Sequence, residues 1–368
     1  MSSHTGERLQ LTLFGESHGA AVGTVLCGLP AGEDIDTAAL ARFARRRAPG
    51  GDIATSPRNE SDLAEILSGV YQGKATGAPL CAMIKNTDKR SNDYLATQDL
   101  ARPSHADYTA SVRYGGHSDP RGGGHFSARL TAPLVFAGGL AMQILERRGI
   151  YVRARLVSAG SARDTDLSFE PFPPDADAFN SVFSRIEQGG FPTLTEEGEE
   201  RLRAEIESAR MSLDSVGGVV ECMIFGMPAG VGDPIYGGLE NRFSRVIFGI
   251  PAVKGIEFGG GFACSAMRAS QVNDEFFLQD GQVRTRTNYS GGIQGGISNG
   301  MPIVLRTAFK PTPSVHRSQN TVNLSTMQEQ TLAIKGRHDP CVAVRAVPCV
   351  QAAAAFVALD SLLCAGKI

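Results

Sequence analysis

Three short segments of this chain concentrate the side chains that can move protons or hold anions. FGESHG (14–19) sets His18 between Gly15 and Gly19; RPSHADY (102–108) packs Arg102, His105 and Asp107 into one span; GRHDP (336–340) carries Arg337, His338 and Asp339. A histidine titrates near pH 6.5, so it can give or take a proton under ordinary conditions. A fourth segment, DPRGGGHFSAR (119–129), lets the backbone come close to a ligand at Gly122–Gly124 and offers the Ser127 hydroxyl. A glycine run that opens a helix builds an anion cradle from free N–H groups. Arg46, Arg58, Arg102, Arg129 and Arg337 fall in or near these polar segments, and guanidinium forks match phosphate and carboxylate oxygens. Each segment alone could be a satisfied turn. Together they point to one polar site: an enzyme acting on a small polyanion, with a phosphate-bearing cofactor.

The elements that must position these groups are legible in outline. Residues 10–28 read as strand, loop and strand, with His18 in the loop. Residues 34–47 read as a helix with Leu40 and Phe43 on one face, stopped by Ala48-Pro49-Gly50. Arg45–Arg47 at its end would offset the helix dipole. Residues 126–148 read as a long apolar helix in which Pro133 and Gly138-Gly139 predict a kink or break. Residues 219–230 and 301–309 read as strands and 346–364 as an apolar helix. Residues 163–210 are acidic, carry Pro171, Pro173 and Pro174, and hold helical patterns near 176–188 and 195–211; they read as a peripheral insertion. Strands and helices without strict βαβ alternation predict an α+β fold of packed layers. No GxGxxG follows a clear first strand, which weakens a dinucleotide-binding reading, and no Gly-Lys-Ser/Thr closes a P-loop, which excludes the usual kinase cradle.

Composition narrows the function classes. The chain has 368 residues, 42% apolar and 20% charged, with a net charge of −2. That balance supplies no global field for nucleic acid. No stretch reads as approaching the roughly 20 apolar residues that span a bilayer, and MSSHTGERLQ lacks the charged-then-apolar signal pattern, so a cytoplasmic protein without membrane attachment is expected. Seven cysteines with no CxxC pair read as reduced thiols, and no metal site is expected. The 43 glycines cluster at 115–124, 226–238, 255–261 and 291–300, as expected of loops packed around a ligand.

The order and spacing of FGESHG, RRRAPG (45–50), LSGVYQGKATGAP (67–79), NTDKRSNDY (86–94), RPSHADY, RGGG…SAR (121–129), DSVGG (214–218), PAVKGIEFG (251–259), TNYSGGIQGGISNGMPI (287–303), KPTPS (310–314) and GRHDPCVAVRAVP (336–348) resemble the chorismate synthase family along almost the whole chain. Residues 163–210 resemble it least. The resemblance implies one domain over 1–368, a β-α-β sandwich with long glycine-rich loops, and a homotetramer. It implies elimination of phosphate and a ring proton from 5-enolpyruvylshikimate 3-phosphate to give chorismate, with reduced FMN as cofactor. His105 would protonate the departing phosphate, His18 would stabilise the reduced flavin, and Asp339 would help move the ring proton. Flavin contacts would come from His125, Phe126, Ser127, Pro251, Ala252, Gly295, Lys310, Pro311, Thr312, Pro313, Ser314 and Arg337. Arg46 and Arg129 would hold substrate or NADP.

The chain departs from the family pattern at several places. His125 stands for an arginine, Phe126 for a small residue and Leu130 for a glutamate. Ser104 replaces a glycine, and Gln351 a glutamate. Ile53 occupies the place of an arginine associated with NADPH, so flavin reduced elsewhere is expected rather than NADPH as this chain's own reductant. A relative that binds flavin or a polyanion without turnover is the alternative these departures leave open.

Overall fold

The computed structural model describes residues 3–50, 62–87, 98–166, 175–334 and 338–368. Two five-stranded sheets enclose a layer of helices. In the first sheet β1 (His4–Thr5), β2 (Gln10–Gly15), β3 (Ala21–Cys27), β4 (Glu65–Ser68) and β5 (Leu80–Lys85) lie in the order β1-β2-β3-β5-β4. In the second, β6 (Tyr151–Ala159), β7 (Ala162–Arg163), β8 (Gly218–Phe225), β9 (Val253–Phe258) and β10 (Ile303–Phe309) lie in the order β9-β10-β8-β6-β7. Neighbours in both sheets pair antiparallel. This is the layered α+β arrangement expected from the sequence.

The helices are α1 (Thr37–Arg47), α2 (Asp107–Tyr114), α3 (Thr131–Glu146), α4 (Ala176–Val182), α5 (Ser184–Glu187), α6 (Glu196–Met211), α7 (Leu239–Ile247) and α8 (Val342–Cys364). Asp36 caps α1 by accepting from the Ala39 N–H at 2.9 Å. Helix α3 packs on the first sheet, α8 on the second, and the two pack on each other. A Cβ at Gly138 would sit 2.4 Å from the Ala352 backbone, so that glycine sets how closely α3 and α8 approach. The expected kink in the 126–148 helix does not occur. The α-helix begins only at Thr131 after 3-10 turns, which leaves Pro133 in the first turn, where its missing N–H has no partner to lose. Two helical stretches, Arg121–Glu146 and Val342–Cys364, are long and apolar enough to cross a membrane by length and composition, which corrects the sequence expectation. Each has 89% of its apolar window buried in the protein, because it is enclosed on all sides.

Helices α4 and α5 lie against the outer face of the second sheet, whereas Leu202 and Ile206 of α6 join the main core; Pro171, Pro173 and Pro174 lie outside the described residues. Phe179, Phe183 and Ile186 pack with Met223 of β8 and Val304 of β10. Two residues along from those strand positions, the same face carries a row of opposite charges. Arg155, Glu221, Arg306 and Glu257 are direct cross-strand partners on β6, β8, β10 and β9. They pair at 2.8, 2.9 and 3.2 Å, and Asp164 closes the buried end 3.5 Å from Arg155.

Candidate active site

A cavity of about 1300 Å³ opens beside the helical layer. Its walls come from the N-terminal strand (Ser3–Thr5), the 102–107 turn, the glycine loop, the Ile250–Lys254 segment, the Lys310–Ser314 segment and the start of α8. Residues from the two ends of the chain therefore meet at one site.

The glycine loop does not run straight into a helix. Gly122, Gly123 and Gly124 all have positive φ, at 60°, 82° and 52°, inside a 3-10 segment. Ser127 then caps a short second turn by accepting from the Arg129 N–H at 3.3 Å. The loop instead wraps over His18. A Cβ at Gly122 would lie 2.4 Å from the His18 ring and 2.8 Å from the Ser17 hydroxyl, so only glycine fits there. His18 is buried behind this loop and is not among the residues that line the cavity. Asp119, on the wall, accepts three hydrogen bonds from Arg121. That pairing, with a smaller contribution from the His18 charge, holds its carboxyl below the usual range.

His125 answers to different partners than an arginine would. Its Nδ1 lies 2.9 Å from the Gly15 carbonyl and its Nε2 2.8 Å from the Ser3 hydroxyl. A carbonyl only accepts, so Nδ1 carries the hydrogen and a neutral ring accepts from Ser3 at Nε2. His125 thus fastens the chain's first strand to the glycine loop, and its single N–H is engaged there. Phe126 exposes 44% of its surface into the cavity region and tilts against Tyr114 at 6.3 Å.

His105 is fixed in the same way. Nδ1 donates to the Pro103 carbonyl at 3.0 Å, so Nε2 of the neutral ring accepts from the Ser314 hydroxyl at 2.8 Å. Burial, then the positive charge of Arg102, lower its pKa to about 4. Arg102 itself is held in a fork by Asp107, at 2.7 Å for each oxygen. Lys310 donates to the Ser104 carbonyl at 2.6 Å, and burial followed by the neighbouring Lys254 lowers its pKa. Ser104 and Ala252, both on the wall, have φ of 59° and 72°. Left-handed non-glycine residues of this kind collect where a structure is held for function.

Several predicted residues converge here: His105, His125, Phe126, Ser127, Arg129, Pro251, Ala252, Lys310, Thr312, Pro313, Ser314 and Asp339 all line the cavity. Asp339 pairs with Arg345 at 2.9 Å. His18, Gly295, Pro311 and Arg46 are not among the lining residues; His18 lies behind the glycine loop. Arg46 points to Glu187 of α5 at 3.0 Å and over the Phe43 ring. Its neighbour Arg47 faces the cavity instead, because consecutive helical residues point about 100° apart. Arg337, Ile53 and Arg58 lie outside the described residues. Arg47, Arg345, Lys254 and Arg245 also line the wall and were not singled out from the sequence. Arg47, Lys254 and Arg345 fall inside the motifs RRRAPG, PAVKGIEFG and GRHDPCVAVRAVP without a role there, and Arg245 falls in none.

The glycine loop, the basic wall and a volume above the 300–1000 Å³ of a typical ligand pocket can take an anionic substrate and a flat cofactor together. Residues 9–363 match the family model described as chorismate synthase. The chain is 44% identical over 364 residues to a chorismate synthase of Thermococcus kodakarensis, covering 97% of each chain. It is 42% identical over 368 residues to one of Dehalococcoides mccartyi, covering 100% of this chain and 98% of the relative. A solved structure titled "Crystal Structure of Chorismate Synthase" superposes with a TM-score of 0.75 at 27% identity, over 98% of this chain and 93% of that one.

Proposed function

The chain belongs to the chorismate synthase family, and from that premise we propose that it eliminates phosphate and a ring proton from 5-enolpyruvylshikimate 3-phosphate to form chorismate, with reduced FMN bound in the same cavity. The observation that carries this reading is the meeting of a half-buried, hydroxyl-anchored His105 with an arginine-rich wall in one cavity. Phosphate leaves readily only when its charge is neutralised as the bond breaks. Arg102 and Arg129 would hold the substrate's anions beside His105.

His105 is neutral at pH 7 in this arrangement, since its pKa is about 4. A phosphate dianion beside it would oppose the Arg102 charge and favour the imidazolium. The proton would then be taken up at Nε2 with the substrate, and given to the departing phosphate. Ser314, whose hydroxyl donates to Nε2 of the neutral ring, would turn to accept from the protonated one. Asp339, oriented by Arg345, would hold the ring proton on its way out. His18, under Gly122, would stabilise negative charge on the cofactor side.

His125, Phe126, Ser127, Pro251, Ala252 and Lys310 to Ser314 are the residues we propose for FMN, and all but Pro311 line the cavity. Arg337 and Gly295 remain proposed contacts on the strength of the family motif alone. Reduced FMN would supply the electron density that eases loss of phosphate and proton. The family assembly, a homotetramer, is part of the proposal. Phe276, Leu278 and Val283 stand exposed on one face of the 276–285 hairpin, a surface suited to a second copy.

The test is anaerobic chorismate formation with FMN, comparing dithionite with NADPH as reductant. Turnover with dithionite alone is expected, in keeping with Ile53. No turnover with either reductant would overturn the reading.

A further inference from the structure

One motif of the sequence, DSVGG (214–218), stands off the cavity yet ties two of its walls together. We infer that Ser215 is a positioning residue for the proposed elimination, holding the 310–317 segment so that the Ser314 hydroxyl meets His105. The Ser215 hydroxyl donates to the Thr312 carbonyl at 2.7 Å. Two residues further on, the Ser314 hydroxyl donates to His105 Nε2 at 2.8 Å. None of residues 212–217 lines the cavity, whereas Thr312 and Ser314 do. Ser215 therefore acts through the segment and not on a bound ligand.

The loop is placed to reach both walls. It leads into β8, the middle strand of its sheet, whose Gly218 pairs with Phe309 at the end of β10. Lys310 follows Phe309 directly, so the 310–317 segment leaves the sheet beside the loop. A Cβ at Gly217 would lie 2.4 Å from the Phe309 carbonyl oxygen and 3.2 Å from the Pro311 ring; only glycine permits that approach. Beyond Ser314, Arg317 donates to the Ser212 carbonyl at 3.0 Å and pairs with Asp214 at 3.3 Å. The segment is thus moored to one loop on both sides of Ser314. The Val216 N–H donates to the Pro340 carbonyl at 2.9 Å, next to Asp339. One loop so sets the two segments proposed to handle protons relative to each other.

A serine that merely finished a turn would bond nearby, as the Ser212 hydroxyl does with the Ala209 carbonyl at 2.8 Å. Ser215 instead reaches a carbonyl 97 positions away. Lys310 adds a register mark of its own: its N–H donates to the Ala252 carbonyl at 3.0 Å and its ammonium to the Ser104 carbonyl at 2.6 Å. Both contacts lie on the Lys310 side; Ser215 and Arg317 hold the part that carries Ser314. Hydrogen bonds weaken steeply away from ideal geometry, and a supporting group misplaced by about 1 Å can cost about 100-fold in rate.

The inference rests on the proposed reaction, so one arm of the test is turnover and the other needs no substrate. At saturating FMN, Ser215→Ala is expected to lower kcat about tenfold, with KM for 5-enolpyruvylshikimate 3-phosphate within about twofold of wild type. In a Ser314→Ala background the same change should alter kcat less than about twofold, because the group Ser215 positions is gone. Without substrate, the His105 ring is titrated by NMR, its signal assigned with His105→Asn. Arg102, Asp107 and Lys310 also act on the ring and stay in place in both variants. Losing the hydrogen bond to the neutral ring should raise the His105 midpoint by about half a pH unit in Ser314→Ala, and in the same direction in Ser215→Ala. Should Ser215→Ala fail to fold, Arg317→Gln frees the other end of the segment; kcat should fall about threefold and the midpoint move the same way. Unchanged kcat, additive losses in the double variant, or an unmoved His105 midpoint overturns the inference. If the wild type does not turn over this substrate, the proposed function fails instead, and the titration decides alone. A rise shared by Ser215→Ala and Ser314→Ala then supports the positioning role, and an unmoved midpoint in Ser215→Ala overturns it.

Discussion

The Arg47–Asp62–Arg129 cluster and the charge row across the second sheet use the same side chains and serve opposite ends. The row sets Arg155 and Arg306 against Glu221, Glu257 and Asp164. Its anions match or exceed its cations, its members are direct strand partners, and none of them lines the cavity. In the Arg47–Asp62–Arg129 cluster one carboxylate takes both guanidiniums, and both arginines line the cavity. Burial and ion pairing alone therefore do not mark a functional site; whether the paired side chains face open space does.

The comparison breaks most readily at the proton donors. His105→Ala or His18→Ala should lower turnover by about 10²–10⁴, with little change in the denaturation midpoint. Near-normal turnover in both would remove the chemistry from this side of the comparison. The row should show the converse. Glu221→Gln strips the shared carboxylate from two arginines and should cost about 3–5 kcal/mol in chemical denaturation. KM per folded molecule should stay as in wild type. A raised KM there would erase the distinction.

A pH titration sharpens it further. His105 has a folded pKa of about 4 against an ordinary value of 6.5. The unfolded chain therefore binds a proton first as pH falls. Stability contributed by the neutral ring is fully present above about pH 6.5 and is lost progressively down to pH 4. The whole loss is about 3 kcal/mol. It is read as the extra fall in stability of wild type relative to His105→Asn across that window, and equal falls would mean the ring is not held neutral. The smallest effect is expected at Ser104, whose φ is 59°. Ser104→Gly should stabilise the chain by about 1 kcal/mol. No gain in thermal stability would show that the turn is not strained.

The layers and most of the site were legible in the sequence because they depend on local pattern. The strands flanking His18, the helix that ends at Arg47 and the polar knots around His105 and Asp339 all carry their signal within a few residues. The glycine run was readable as a close approach but not as a cover for His18, since that depends on two segments about a hundred residues apart. Arg46 and Arg47 could not be told apart for the same reason. In a run of three arginines the choice of which one faces the cavity is set by how α1 rotates against α3, a packing decision made by Leu40 and Phe43 against Gly139. Pro133 misled because the start of α3 is five residues later than the apolar pattern suggests. Arg345 falls inside GRHDPCVAVRAVP, one residue before the stretch read as apolar helix, and gains a role only from Asp339 beside it.

Asp360, near the end of α8, accepts hydrogen bonds from the backbone N–H groups of Glu7, Arg8 and Leu9 at 3.0, 2.9 and 2.8 Å. It anchors the chain just before β2, next to the strand that rims the cavity. A nascent chain emerging from the ribosome would make its first strands early, yet would have nothing to moor them until its last helix was released. Catalytic competence would then arrive in one late step, and a chain arrested before α8 would be an inactive half-sandwich exposing apolar surface, a natural client for chaperones.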